Sequence, residues 1–404
     1  GDVILNTTIS TTNNGDIFIE ANRDILQNFV GDAISAGADV RLVSVTGDIG
    51  KSNNYINLKV LPGNKVDASA MKGSVNLNSN AQDIHFGTIE AGQNINLSTT
   101  ESGKIYLDND LTTNGGSVKL DSAENLEIQK NITASGNIVL NANGGIVQTD
   151  GNVNSTGDGS IVVTNNSSGD ISLKKLSSNN GNIEITNNAS DNDVILNDEI
   201  RTENQANINI TSQRNILQNG DNVVLNSDGQ ITLNAKKDIG LLDRFINIFT
   251  RGDGKVNAQA ENIYIGSVDN DLNTGNISAL NNANIKTTGS SGSVIAKDDI
   301  TAGNEINITS VEDIVTNSSV AAKNVDYSAA GNITANNITA ENNITLTGGE
   351  ITTTGNISST DILYDADSKI QTDGSVVGDN VTLISDGNII TNEITGTNDV
   401  TITA

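Results

Sequence analysis

The residues best suited to chemistry stand far apart in this chain. Arg251, Gly252 and Asp253, within "TRGDGK" (250–255), place a cation and a carboxylate on either side of one glycine. On an open turn this tripeptide would offer an integrin-type receptor a carboxylate for its metal ion and a guanidinium for an acidic pocket. A second copy of the surrounding pattern reads "VLPGNK" (60–65) at the same place. What the two share is a turn, and a plain turn is the competing reading. His85, in "DIHFG" (83–87), is the only histidine. Strand alternation turns it away from Ile84 and Phe86, so a structural or solvated place is expected. With no Cys and no second His, no Cys–His pair forms and a Ser–His triad has no support. Glycan cleavage on a β-scaffold needs carboxylates clustered with Lys or Arg on one face. Here Asp and Glu are scattered over turn positions. We expect no catalytic residue, no enzyme activity and no cofactor.

"DNDL" (108–111) and "DNDLN" (269–273) offer clustered oxygens suited to calcium. The paired-glycine nonapeptide pattern of calcium-binding β-rolls is absent, and solvated turns without metal are expected. Asn-x-Ser/Thr triplets begin at Asn131, Asn209, Asn307, Asn332, Asn337 and Asn343. They admit glycosylation, yet outward–inward–outward alternation on a strand produces such triplets by itself. Leu241, Leu242, Phe245, Ile246, Ile248 and Phe249 form the most hydrophobic patch, read as local core with partner contact as the alternative.

The elements that carry these residues follow from composition and period. The chain has 404 residues, 2% aromatics, one proline (Pro62) and no Trp or Cys, yet 35% hydrophobic residues. That is too apolar for a disordered chain, so a core of small and β-branched side chains is implied. The net charge of −27 argues against nucleic acid and anionic lipid as partners. No run is apolar enough to insert in a membrane. "GDVILNTTIS" at the start lacks the marks of a signal peptide, and the pattern runs to "NDVTITA" at the end. A piece of something longer is expected.

One phrase recurs: Gly or Asn, a polar residue, Ile or Val, any residue, then an aliphatic. Examples are "GDIFI" (15–19), "GSVNL" (73–77), "GNIVL" (136–140) and "GNIEI" (181–185). Apolar residues at i and i+2 give the strand period. The Gly, Asn and Asp before each run are read as turn residues that tolerate positive φ. Near-identical short strands, almost no aromatics and almost no helix point to an all-β, right-handed parallel β-helix of about 20 coils. At the usual strand spacing this would be on the order of 95 Å long. A single coil buries too few aliphatics, at roughly 1.5–3 kcal/mol each, to offset its ordering entropy, so coils must stack.

A longer repeat overlies the short one. "NRDILQN" (22–28) returns as "QRNILQN" (213–219), "YINLKV" (55–60) as "FINIFT" (245–250), and "DIHFGTI" (83–89) as "DLNTGNI" (271–277). The expected organisation is one continuous β-helix over 1–404, made of tandem modules near 15–205 and 206–404. Residues 51–66 and 241–256 break the rhythm and are expected to form elaborated coils. Tyr55 and Phe245 should occupy matching places.

The run 216–279 resembles the repeat region of filamentous-haemagglutinin-like large exoproteins, which Gram-negative bacteria export by two-partner secretion. "DIG" (238–240), "GKVNAQA" (254–260), "NIYI" (262–265) and "DLNTGNIS" (271–278) carry the resemblance, with a looser copy at 22–90. The resemblance implies a non-catalytic, rod-like stalk at the outer cell surface, often an adhesin. Its partner would be a host or neighbouring-cell receptor or glycan, and a segment not in this chain would engage an outer-membrane transporter. The family's Asn-Pro-Asn secretion motifs are missing, since the lone proline is in "LPGN" (61–64). The alternative is a structural fibre or sheath protein whose rods associate laterally or end to end.

Overall fold

A computed structural model describes residues 1–220 and 224–404; residues 221–223, inside the 216–279 run, lie outside that description. Among the described residues there is no helix, and every pairing between named strands is parallel. The chain is a parallel β-solenoid of about 19 turns. It forms two compact units. Residues Gly1–Arg214, with Asn219 and Gly220, make the first; Asn215–Gln218, with residues 224–404, make the second.

In the first unit a regular turn carries three strands, such as Val118–Ser122, Leu126–Ile128 and Ile132–Ala134. Each pairs in register with its counterpart one turn on, so like sits on like: Ile138, Ile161, Ile183 and Ile208 form one row. Period two decides which side chains enter. Ile183 and Ile185 are 0% and 1% exposed, whereas Glu184 between them is exposed. Most of the column is aliphatic, but Phe86, Tyr327 and Tyr364 are fully buried. Burial holds both phenols well above their ordinary pKa, so they remain neutral.

The reading of pre-strand Gly, Asn and Asp as positive-φ residues holds at Gly103 (φ 108°) and Gly169 (φ 83°) but needs correction for Asn and Asp. Among the described non-glycine residues only Asn13, Asn14, Glu101, Asn204, Gln205 and Asp269 have positive φ. The pre-strand Asn and Asp instead cap the next turn. Asn137 accepts from the backbone N–H of Ser160 (2.9 Å), Asn182 from Asn207 (2.9 Å) and Asp313 from Asn332 (2.7 Å). At corners where a ladder lapses, these side chains supply the N–H groups with the acceptor that the ladder does not. Other pre-strand glycines answer to crowding. A Cβ on Gly159 would lie 2.0 Å from the Gly136 carbonyl oxygen, and on Gly181 2.2 Å from that of Gly159. At these two positions the turns approach so closely that no side chain fits, although the next turn carries the buried Ala206 in the same row.

Candidate functional site

Irregularity marks the places where a solenoid departs from pure stacking, and one irregularity occurs twice. After Ile49 the chain leaves the column through Gly50, closes a four-residue turn by mutual Lys51–Asn54 backbone bonds of 2.9 Å, and re-enters at Ile56–Val60. After Ile239 it does the same through Gly240, the Leu241–Arg244 turn and Ile246–Thr250. Gly50 and Gly240 have φ of 66° and 71°. A Cβ on either would meet a backbone oxygen at 2.4 Å, that of Asn76 or of Tyr264. Only glycine meets both conditions.

The repeated "ILQN" phrase now has a cause. Gln27 and Gln218 point into the column, and their Oε1 atoms accept from the N–H of Asn57 (2.8 Å) and Asn247 (2.9 Å). Each glutamine anchors the strand that follows the protruding turn. The arginines of the phrase both reach back one turn. Arg23 makes a two-pronged contact with Asp2, holding that carboxyl down to about 2, and Arg214 donates to the Asp191 carbonyl (3.1 Å). Tyr55 and Phe245 are both half-buried at the foot of the turn. Phe245 meets Tyr264 edge-on at 5.8 Å and carries the Lys286 ammonium 3.7 Å above its ring. Burial lowers the pKa of that ammonium.

The two turns differ on the outside. Lys51 and Ser52 stand where Leu241 and Leu242 stand, and the leucines are 40% and 71% exposed. The 241–249 stretch is therefore divided: Ile246 and Ile248 are core, while the leucines face out.

Arg251–Asp253 lies on the following turn, closed by Gly254 N–H to the Arg251 carbonyl (3.0 Å). Asp253 is exposed, as expected of an open turn. Arg251 is not free of packing. It is half-buried, donates to Asn226 Oδ1 (3.1 Å) and lies 5.6 Å above the Phe249 ring. Neighbouring strands draw the guanidinium back onto the column, so the tripeptide does not present two free arms.

His85 stacks face to face on Tyr106 at 4.3 Å, and its Nδ1 lies 3.0 Å from Asp108 Oδ2. Lys65 Nζ is 3.5 Å from the same carboxylate. These are outward side chains of successive turns. Apart from Asp108, the aspartates of the two acidic stretches act as caps. Asp110 accepts from the Asn131 N–H (3.0 Å), and Asp271 from that of Ser293 (2.9 Å). Asp269 accepts from the Ser290 N–H and hydroxyl, which lower its pKa. Among the described residues no group of three or more His, Cys, Asp or Glu is placed to hold a metal ion. Several triplet asparagines are engaged too: Asn131, Asn332 and Asn337 each cap the next turn through Oδ1. Asn307 and Asn343 donate to Asn284 and Asn324 one turn back.

A groove that no sequence signal marked lies over the first unit. It measures about 450 Å³ and is lined in part by Arg41, Asp67, Met71, Glu90 and Asn109. Compared with family models, with curated proteins and with solved structures, the chain matches none of them.

Proposed function

We propose that the chain is a non-catalytic stalk of a surface-displayed or secreted exoprotein of the adhesin type, working by reach and display. One observation supports this reading most. The outward polar side chains are engaged turn by turn: Asp and Asn cap the next turn's backbone, and asparagines bond to asparagines, as Asn96 does to Asn76 (2.8 Å). A surface built this way supplies spacing rather than converging reactive groups. The partner is a receptor or glycan on a host or neighbouring cell. Beads coated with this protein should adhere to cultured epithelial cells or immobilised glycans more strongly than beads coated with an unrelated β-solenoid. Equal adherence overturns the reading. Because Arg251 is drawn inward, Asp253→Glu should leave attachment unchanged; loss of cation-dependent attachment would restore the tripeptide as the receptor site.

The fibre reading has one observation in its favour, the exposed Leu241 and Leu242 on a turn whose counterpart is polar. Concentration-dependent association in sedimentation, abolished by Leu242→Asp, would favour lateral assembly. A monomer at all concentrations removes it.

A further inference from the structure

Five Asn-Gly pairs occur in the chain, at Asn14, Asn114, Asn143, Asn180 and Asn219. Their local bonding differs sharply. The Gly144 N–H donates to the Glu124 carbonyl (2.9 Å). The Gly181 N–H donates to the buried Ser178 hydroxyl (3.1 Å). Asn180 itself donates to Asp158 (2.7 Å) and accepts from Asn204 (2.6 Å). Asn219 donates to Asn197 (2.9 Å). At Asn114–Gly115 both residues are exposed. Neither the Asn114 amide nor the Gly115 N–H makes a hydrogen bond to any described residue. Asn14–Gly15 also has an unbonded N–H, but Asn14 is held at φ 61° and the Thr11 hydroxyl grips the Gly15 carbonyl.

We propose that Asn114 is a site of spontaneous, self-catalysed deamidation, giving a mixture of aspartate and isoaspartate at the tip of this turn. The Gly115 nitrogen attacks Asn114 Cγ, forming a new C–N bond and releasing its proton. The bond from Cγ to the side-chain nitrogen breaks, and ammonia leaves with that proton. Water then opens the cyclic imide at either carbonyl. No oxidant or reductant is involved, and water is the only co-reactant. Glycine favours closure because a side chain after the asparagine would hinder the attacking nitrogen. A free N–H reacts faster because a bonded one must first break that bond.

The turn can absorb the product. Its flanks are fixed from both sides: Asn114 N–H to the Ala91 carbonyl (3.2 Å), Ser117 N–H to Asn94 Oδ1 (2.9 Å) and Val118 N–H to the Asn137 carbonyl (2.8 Å). An isoaspartyl linkage lengthens the backbone only between these anchors. The surface gains one further negative charge on a chain already at −27.

The test incubates the intact protein at mildly alkaline pH and body temperature, followed by peptide mapping with isoaspartyl-specific methyl labelling. Asn114 should be modified first, about tenfold faster than Asn143 or Asn180, the factor set by the hydrogen bonds that those sites must break. Gly115→Ala should suppress the modification. Ser178→Ala, with its fold checked by circular dichroism, frees the Gly181 N–H and should raise the rate at Asn180. Equal rates at the three sites, or an unmodified Asn114, overturn the proposal.

Discussion

Two regions of the chain, residues 49–112 and 239–301, share a backbone plan and differ in what they show to solvent. In both, an inward glutamine from the preceding turn, Gln27 or Gln218, anchors the re-entering strand and a left-handed glycine opens the turn. In both, a glycine in a β-bulge abuts a side-chain oxygen: Gly87 against Asp67, Gly275 against Asn257. Those oxygens accept from the N–H of Thr88 (2.7 Å) and of Asn276 (2.9 Å). The outward residues have drifted. His85 and Tyr106 pair with the strands before and after them at places taken by Asn273 and Ile295. Lys255 reaches Asp298 where Lys65 reaches Asp108. By strand register Lys297 follows Ala296 as Asp108 follows Leu107, so the second region has a cation where the first has its central carboxylate. Groups that complete a backbone hydrogen bond are held; outward side chains that only pair with other side chains, such as the His85–Tyr106 stack, are not.

The strongest test of this equivalence is steric. Gly50→Ala and Gly240→Ala should each cost about 2–4 kcal/mol, from left-handed strain plus overlap with a backbone oxygen. Similar losses in denaturant unfolding are expected, and a silent variant at either position breaks the comparison. Next come the anchors. Gln27→Ala and Gln218→Ala leave a strand N–H unpaired and should cost about 1–3 kcal/mol each. Hydrogen exchange at Asn57 or Asn247 should accelerate in the matching variant alone. The smallest effect falls on the drifted face. His85→Asn removes a ring stack and should cost about 1 kcal/mol or less. A larger loss would mean that His85 holds the first region together in a way Asn273 does not.

Much of this was legible in the letters. Ile183 and Ile185 inward with Glu184 outward followed from period two alone. The recurrence of Gln27 as Gln218 was visible, but its role was not, since its partner lies about thirty residues on. Asx capping was missed for the same reason: donor and acceptor are brought together only by stacking. The His85–Tyr106 stack could have been found by laying "IHF" (84–86) over "IYL" (105–107). The inward turn of Arg251 could not, because it depends on where a neighbouring strand places Asn226.

The capping rows have a mechanical consequence. Each cap, like each ladder bond, points from one turn to the next, for instance Asn137 to Ser160 and Ile138 N–H to the Ser160 carbonyl. Within either unit, tension along the stacking direction therefore loads these bonds along their length and concentrates on the outermost turn. That turn peels before its neighbour is stretched. A turn of roughly twenty residues, once freed, pays out about 70 Å of chain. Under a steady pull such a unit yields in steps, lengthening at nearly constant force instead of snapping.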